Sequence, residues 1–349
     1  MKKSVLRALA LSAALLLLLS ATGCSNSDTP VVRVYNWGDY ISPEVVELFE
    51  KETGIKATYD TFETNEDMYL KLKNTSGYSY DVVIPSDYMI TKMLREDMLA
   101  EINFDNIPNY AGLDSRMLGL EYDPDNMYSV PYMWGTVCIA YDPEVVTEPV
   151  DSWNILWDDQ YAGRMFMIDS ERDSIGVALL SMGFSINTTS DAELELAKQK
   201  LLQQKPMVLA YTGDDIKDKL IGREGVLGVI WSCDIGIILE EDDSLAYVIP
   251  EEGTNIWYDA AVILKTAENK ENGEKFIDFL CRPDVALLNA DYLGSVSPVL
   301  EAAAEQDEEI LNNPVVNPSA EKIEKYEIFI MPEGMADTYA RIWSDVLAS

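Results

Sequence analysis

The stretch VVRVYNWGDY, residues 31–40, joins an apolar, β-branched run to a segment that combines aromatic rings with a carboxylate. Residues 31–35 predict a β-strand. A helix is expected to follow, because Ser42 is a favourable N-cap, Pro43 suits the first helical position and Gly54 is placed to end it. The alternation continues with a predicted strand at 55–59, a helix at 66–73 and a strand at 81–84. This βαβαβ order is typical of a mostly parallel sheet.

The rest of the chain keeps the same alternation and contains no linker, repeat or low-complexity tract. Apolar runs predict strands at 137–141, 164–168, 225–231 and 260–264, and further patterns predict helices at 174–182, 191–204 and 272–280. We therefore expect an α/β fold of two lobes that exchange chain more than once, each with a mostly parallel sheet flanked by helices. The first lobe would hold residues 31–135 and 258–305, and the second would hold residues 136–257 and 306–349.

The N-terminus predicts an export signal. Three basic residues, Lys2, Lys3 and Arg7, precede the uncharged apolar segment 8–19, which is too short to span a bilayer. The small residues before Cys24 resemble the bacterial lipobox, although Ala21 stands where leucine is most common. We expect a signal peptide at 1–23, lipidation of Cys24 and a short tether at 24–30. The alternative is a plain secretory signal with an accidental cysteine.

The net charge restricts the class of partner. The chain carries 61 acidic and 26 basic residues, no histidine and a formal charge of −35. Nucleic acid is excluded as a partner, because phosphate binding requires clusters of basic side chains. A cationic small molecule would be attracted by this field, although most of the acids are expected to aid solubility.

The remaining cysteines predict no metal or redox chemistry. Cys138, Cys233 and Cys281 have spacings that match no zinc or disulfide-exchange motif. We expect them to be small apolar residues in the interior. The sequence predicts neither a metal nor a cofactor.

Aromatic and acidic residues follow four of the predicted strands, at the carboxyl ends where open parallel sheets bind ligands. They are Trp37, Asp39 and Tyr40 after the first strand, Ser86, Asp87 and Tyr88 after 81–84, the polar run 169–173 after 164–168, and Trp231. Trp257 and Asp259 lie where the chain is expected to cross between lobes. Aromatic faces together with carboxylates suit an organic ammonium ion. Taken singly, the tryptophans could be core residues, and Ser86 and Asp169 could cap helices.

At these residues the chain resembles the bacterial spermidine/putrescine-binding proteins of ABC importers. The likeness runs from about 31 to 345 and is carried by the strings YNWGDY (35–40), KETGIK (51–56), YDVVIPSDY (80–88), VPYMWGT (130–136) and IWYDAAVI (256–263). The resemblance implies a two-lobed fold of the periplasmic-binding-protein type, with a ligand cleft between the lobes.

The resemblance also implies a role for each matching residue. Trp37, Asp39 and Tyr40 would line one end of a slot, and Ser86 and Tyr88 would contact an amine. Trp231 and Trp257 would sandwich a methylene chain, and Asp173 and Asp259 would hold amines.

Three positions depart from the pattern of that family. Gly38 replaces a usual serine or threonine, and Ser170 replaces an aspartate, so Asp169 or Asp87 would have to supply the missing carboxylate. Ser295 stands where some members have tyrosine. These changes bear on ligand length and relative affinity rather than on cation binding.

The sequence therefore predicts a monomeric receptor, lipid-anchored on the extracytoplasmic face of the cell membrane, that captures a polyamine for an ABC permease. One alternative keeps the fold but binds a sugar, thiamine or iron. The other is a secreted hydrolase with paired carboxylates, although the chain lacks the common nucleophile, zinc and phosphate-loop motifs.

Overall fold

Ten strands form one mixed sheet in the computed structural model, which describes residues 29–75 and 80–349. The predicted signal peptide and Cys24 lie outside the described residues. The strands are β1 (Val31–Trp37), β2 (Lys56–Phe62), β3 (Val82–Val83), β4 (Ser129–Tyr141), β5 (Met165–Ile168), β6 (Val208–Thr212), β7 (Leu227–Trp231), β8 (Ala246–Val248), β9 (Asn255–Ile263) and β10 (Glu327–Ile328). The α-helices are α1 (Pro43–Thr53), α2 (Asn65–Asn74), α3 (Asp87–Arg95), α4 (Glu171–Leu180), α5 (Asp191–Gln204), α6 (Ile216–Ile221), α7 (Asp234–Glu241), α8 (Lys270–Leu280), α9 (Pro283–Leu293), α10 (Leu300–Ala303), α11 (Glu308–Leu311), α12 (Ala320–Ile323) and α13 (Ala336–Ala348).

The opening βαβαβ unit forms as the sequence predicts. β1 continues to Trp37, two residues beyond the predicted end, because its pairing with β2 extends to the partners Trp37 and Phe62. α1 begins at Pro43, and Gly54 ends it in the left-handed conformation with φ 70°. Ser42 has extended backbone at the N-cap, but its side chain makes no capping bond.

Two groups of parallel strands are joined by two long antiparallel strands. The sheet order is β2-β1-β3-β9-β4-β7-β5-β6. β1 is parallel to β2 and β3, and β5 is parallel to β6 and β7. Within this order β9 and β4 run antiparallel to their neighbours, and the short strand β10 pairs parallel with β9 outside it. The predicted α/β class is confirmed.

The strand β4 belongs to both groups. Residues up to Thr136 pair with β9, and residues from Val137 onward pair with β7. This change of partner lies next to the predicted lobe boundary at 135/136, but the division into lobes stays a prediction. None of the helices in the described ranges combines the length and the apolar character that a membrane span requires.

The helix α7 packs directly on the end of α9 through two glycines. Gly294 ends α9 with φ 65°, and a Cβ atom built on Gly236 would lie 2.4 Å from the Cα atom of Gly294. Because the obstructing atom belongs to the backbone, no side-chain rotation can relieve the contact.

We predict that Gly236→Ala lowers the free energy of unfolding by about 1–3 kcal/mol, because the new methyl group forces α7 and α9 apart. Urea denaturation followed by circular dichroism measures the change. Gly213→Ala is the control, since Gly213 has open space around its Cβ position. Equal unfolding midpoints for the two variants would contradict the prediction.

Candidate ligand-binding site

A cavity of about 450 Å³ opens between the carboxyl ends of β1 and β7 and the strand β9. Three indole rings line it, those of Trp37, Trp231 and Trp257. Only two basic side chains, Arg172 and Lys217, stand among its described lining residues, against seven acidic side chains: Asp39, Asp214, Asp234, Glu240, Glu241, Asp259 and Asp291. The walls therefore combine aromatic faces with an excess of negative charge.

Eight of the residues singled out in the sequence line this cavity: Trp37, Gly38, Asp39, Tyr40, Ser86, Trp231, Trp257 and Asp259. Asp39 adopts a positive φ of 43°, which turns the chain sharply after β1. Ser86 and Asp259 are antiparallel bridge partners, so the end of β3 and the strand β9 bring them side by side. The carboxyl-end rule led to six of these residues, and the expected crossing between lobes led to Trp257 and Asp259; 222 positions separate the first of the eight from the last.

The position of Trp257 depends on a glycine on the neighbouring strand. Gly135 is the register partner of Trp257, and a Cβ atom at Gly135 would lie 2.5 Å from the indole ring. The indole Nε1 donates to the carbonyl of Thr136 at 3.2 Å. The ring is therefore locked against β4 and has 4% of its surface exposed.

Asp173 orients Trp231 rather than lining the cavity itself. Its carboxylate accepts hydrogen bonds from Trp231 Nε1 at 3.2 Å, Asn255 Nδ2 at 2.9 Å and Arg172 Nε at 3.0 Å. A second Arg172 nitrogen donates at 3.3 Å, so three side chains of the protein already occupy this carboxylate. The prediction that Asp173 holds an amine stays untested.

Tyr88 and Asp87 also lie outside the cavity lining. The Tyr88 hydroxyl donates to Glu66 Oε1 at 2.9 Å, and its ring lies 5.3 Å from the Arg172 guanidinium. The Asp87 carboxylate accepts from the backbone N–H groups of Tyr88 and Tyr258 at 2.7 and 3.0 Å.

The two remaining candidates, Ser170 and Ser295, are not among the lining residues. Ser170 is the N-cap of α4, because its hydroxyl accepts a hydrogen bond from the backbone of Asp173. Ser295 is 1% exposed and follows Leu293 and Gly294 at the end of α9. The sequence suggested Asp169 as the cap of this helix, but the cap is the next residue, Ser170.

The Arg172 guanidinium is buried between two carboxylates. Its side chain is 8% exposed and lies 3.0 Å from Asp173 and 3.8 Å from Asp87. Burial raises the pKa of Asp87 to about 7, with the Arg172 charge acting in the opposite direction. Arg172 therefore carries countercharge for carboxylates outside the lining.

Asp259 is a buried carboxylate of the lining and forms no ion pair within the described residues. Burial raises its pKa to about 6, and the Ser86 hydroxyl and the charge of Arg172 act in the opposite direction. Among the described residues, Asp259 Oδ1, the Tyr40 hydroxyl and Trp37 Nε1 are buried and have no hydrogen-bond partner. Leaving such groups unpaired costs about 1–3 kcal/mol each, so an external donor that reached Asp259 would gain free energy.

Another part of the lining was not predicted from the sequence and comes from α6 with its preceding loop, α7 and α9. Lys217, Asp214, Asp234 and Tyr292 belong to it. Asp234 follows Trp231 by three residues, so the same carboxyl-end rule could have found it. Nothing in the local sequence indicates Lys217. In residues 29–75 and 80–349 no three Cys, Asp or Glu side chains are arranged to hold a metal ion.

Comparison with known proteins assigns the family. Residues 44–318 match the model of the bacterial extracellular solute-binding proteins. The chain belongs to this family. The spermidine/putrescine-binding periplasmic protein of Salmonella typhimurium is 38% identical over 326 residues, 92% of each chain.

Solved structures agree with this assignment. A structure from Listeria monocytogenes superposes on this solute-binding protein with a TM-score of 0.88 and 37% identity, covering 91% of this chain and 98% of the other. A Treponema pallidum lipoprotein matches with a TM-score of 0.81 and 27% identity over 90% and 99% of the two chains. The resemblance read from the sequence is confirmed at the level of the family, and such proteins act outside the cytoplasm.

We predict that the ligand-free protein loses stability as the pH rises through about 6, because Asp259 must ionise in a buried setting. Its folded pKa lies about two units above the ordinary value of 3.8, so its contribution is fully present below about pH 4 and is lost by about pH 7. The loss from this group is at most about 3 kcal/mol. Asp259→Asn should remove it.

Urea unfolding at about pH 4.5 and about pH 8 tests this, since the two conditions lie on either side of the folded pKa. Asp125→Asn is the control, because this side chain is exposed. An unchanged difference between the two pH values in Asp259→Asn would show that Asp259 is not the group responsible.

Proposed function

We propose that this solute-binding protein captures a polyamine, spermidine or putrescine, and delivers it to an ABC-type permease. The observation that carries the proposal is the buried carboxylate of Asp259, whose Oδ1 has no hydrogen-bond partner among the described residues, in a cavity lined by three indole rings. The name of the Salmonella relative supports the same ligand class. The protein would act as a receptor and not as an enzyme.

The cavity lining offers a suitable contact to each part of a polyamine, the ammonium groups and the methylene chain. A primary ammonium would donate to Asp259, with the Tyr40 hydroxyl beside it as a further partner. The methylene chain would lie on the faces of Trp231 and Trp257, where burial contributes about 25 cal/mol per Å² of apolar area. An ammonium over an indole face adds about 0.5–2 kcal/mol. A micromolar complex needs only about −8 kcal/mol in total, which these contacts can supply.

The charge of the lining favours a cation over the other ligands considered. Sugars also stack on tryptophan, but they do not require seven acidic side chains around one cavity. Iron is disfavoured because the chain has no histidine and its described part offers no metal-binding cluster. Thiamine remains the closest competitor, since it is an organic cation.

We further propose that ligand binding closes two lobes about β4. The lobes would be those predicted from the sequence, 31–135 with 258–305 and 136–257 with 306–349. The change of partner along β4 supports this division, because one continuous strand then serves both parts of the sheet. Closure would exclude water from the cavity.

We predict that Asp259→Asn weakens polyamine binding by roughly 10- to 100-fold, because a charge-assisted hydrogen bond to a buried group is replaced by a neutral one. Isothermal titration calorimetry with putrescine, spermidine, thiamine and maltose measures the effect. Asp125→Asn should bind as the wild type does.

The polyamine assignment would be refuted if maltose or thiamine gave heat of binding and neither putrescine nor spermidine did. Equal polyamine affinity in Asp259→Asn and the wild type would leave the ligand class intact but remove Asp259 from the site. Circular dichroism spectra and unfolding midpoints of both variants separate a lost contact from a lost fold.

The lipid anchor is also a proposal, supported by the residues before Cys24 and by the match to a Treponema lipoprotein. We predict that the full-length chain expressed in bacteria partitions into detergent, because its mature N-terminus carries acyl chains. Cys24→Ser should move it to the aqueous phase. Mass spectrometry of the N-terminal peptide identifies the modification, and a mature N-terminus at any other residue would contradict it.

A further inference from the structure

The ammonium of Lys217 lies inside the cavity wall. The side chain of Lys217, on α6, is 12% exposed, and its Nζ atom lies 3.3 Å from Asp234 Oδ1. The same nitrogen donates to the backbone carbonyl of Asp214 at 2.6 Å. All three residues line the cavity. A lysine is thus held where a receptor for cations would be expected to present free carboxylates.

Lys217 is charged in this position. Burial lowers its pKa, but the carboxylates of Asp234 and Asp214 outweigh that effect, so the pKa lies above the ordinary lysine value. Asp234 is itself buried, with a side chain 9% exposed, and needs a countercharge. The pair therefore holds one fixed positive charge in the lining.

This pair and Asp259 line the same cavity. Cys233 and Asp214 belong to the same lining. Asp214 also faces the loop after β1, since its Oδ2 atom lies 4.0 Å from the Cβ position of Gly38. A ligand anchored at Asp259 that extends toward the Gly38 loop would approach Asp214 and its neighbour Lys217.

We propose that Lys217 acts as a built-in ammonium that occupies the Asp234 carboxylate and so prevents an additional ligand amine from binding there. This inference rests on the proposed polyamine-binding function and names a determinant of ligand length. A further ammonium at Asp234 would lie within a few ångströms of Lys217 Nζ and be repelled by it. Short polyamines held by Asp259 are accepted, and the tetraamine spermine is disfavoured.

The experiment is calorimetry of Lys217→Met with putrescine and spermine. Methionine keeps much of the stem but removes the charge, which frees Asp234 for the extra amine. The ratio of spermine to putrescine affinity should rise at least about tenfold. Lys217→Gln serves as a second variant, because its amide can still donate to the Asp214 carbonyl and so preserve the local fold.

Lys219→Met is the matched control. Lys219 lies two residues along the same helix, pairs with Asp215 and is not part of the cavity lining. Its substitution changes the net charge equally, so it measures the general attraction of polycations. The double variant Lys217→Met with Asp234→Asn should return the ratio to the wild-type value, because the freed carboxylate is gone.

The outcomes distinguish the two proposals. A wild-type protein that binds neither putrescine nor spermidine refutes the polyamine function. The role of Lys217 alone is overturned if the wild type binds polyamines but both Lys217 variants leave the ratio of spermine to putrescine affinity unchanged. It is also overturned if Lys219→Met raises that ratio equally. A rise confined to the Lys217 variants and abolished in the double variant supports it.

Discussion

The buried guanidinium of Arg172 is the charge on which the cavity depends. It lies between Asp173 and Asp87, which belong to α4 and α3. Removing one member of such a buried group costs about 3–5 kcal/mol, because the others lose their countercharge. By holding Asp173, Arg172 also fixes the carboxylate that orients the indole of Trp231.

This pairing decides which carboxylate faces a ligand. Asp87 and Asp173 are buried as deeply as Asp259, but their oxygens already accept hydrogen bonds from the protein. Asp259 keeps an oxygen without a partner among the described residues. Asp87 and Asp173 are therefore held by contacts within the protein, whereas Asp259 can accept a hydrogen bond from a cation. Elsewhere in the lining, Asp234 is likewise paired within the protein, by Lys217.

The aromatic rings are placed by packing constraints rather than by their own sequence neighbourhood. Trp257 requires a glycine at position 135 on the adjacent strand, and Trp231, at the end of β7, is oriented by Asp173 from the helix α4. A receptor that must enclose a flexible, charged chain needs rigid apolar walls, because ordering both ligand and protein would cost binding free energy. The fixed indole rings of Trp231 and Trp257 provide such walls in the cavity that contains Asp259.

The sequence by itself determined the opening βαβαβ unit, seven of the ten strands and the residues that follow strands, such as Trp37, Ser86 and Trp231, but not β6, β8 and β10 or the helices α6, α7 and α9. Hydrophobic period and turn residues are local signals, and the carboxyl ends of parallel strands share one edge. Only the tertiary structure decided that Asp173 and Ser170 support the wall, that Asp259 stays unpaired and that Lys217 lies in the lining. Pairing between charges depends on distances between segments far apart in the chain, and no local pattern of residues records those distances.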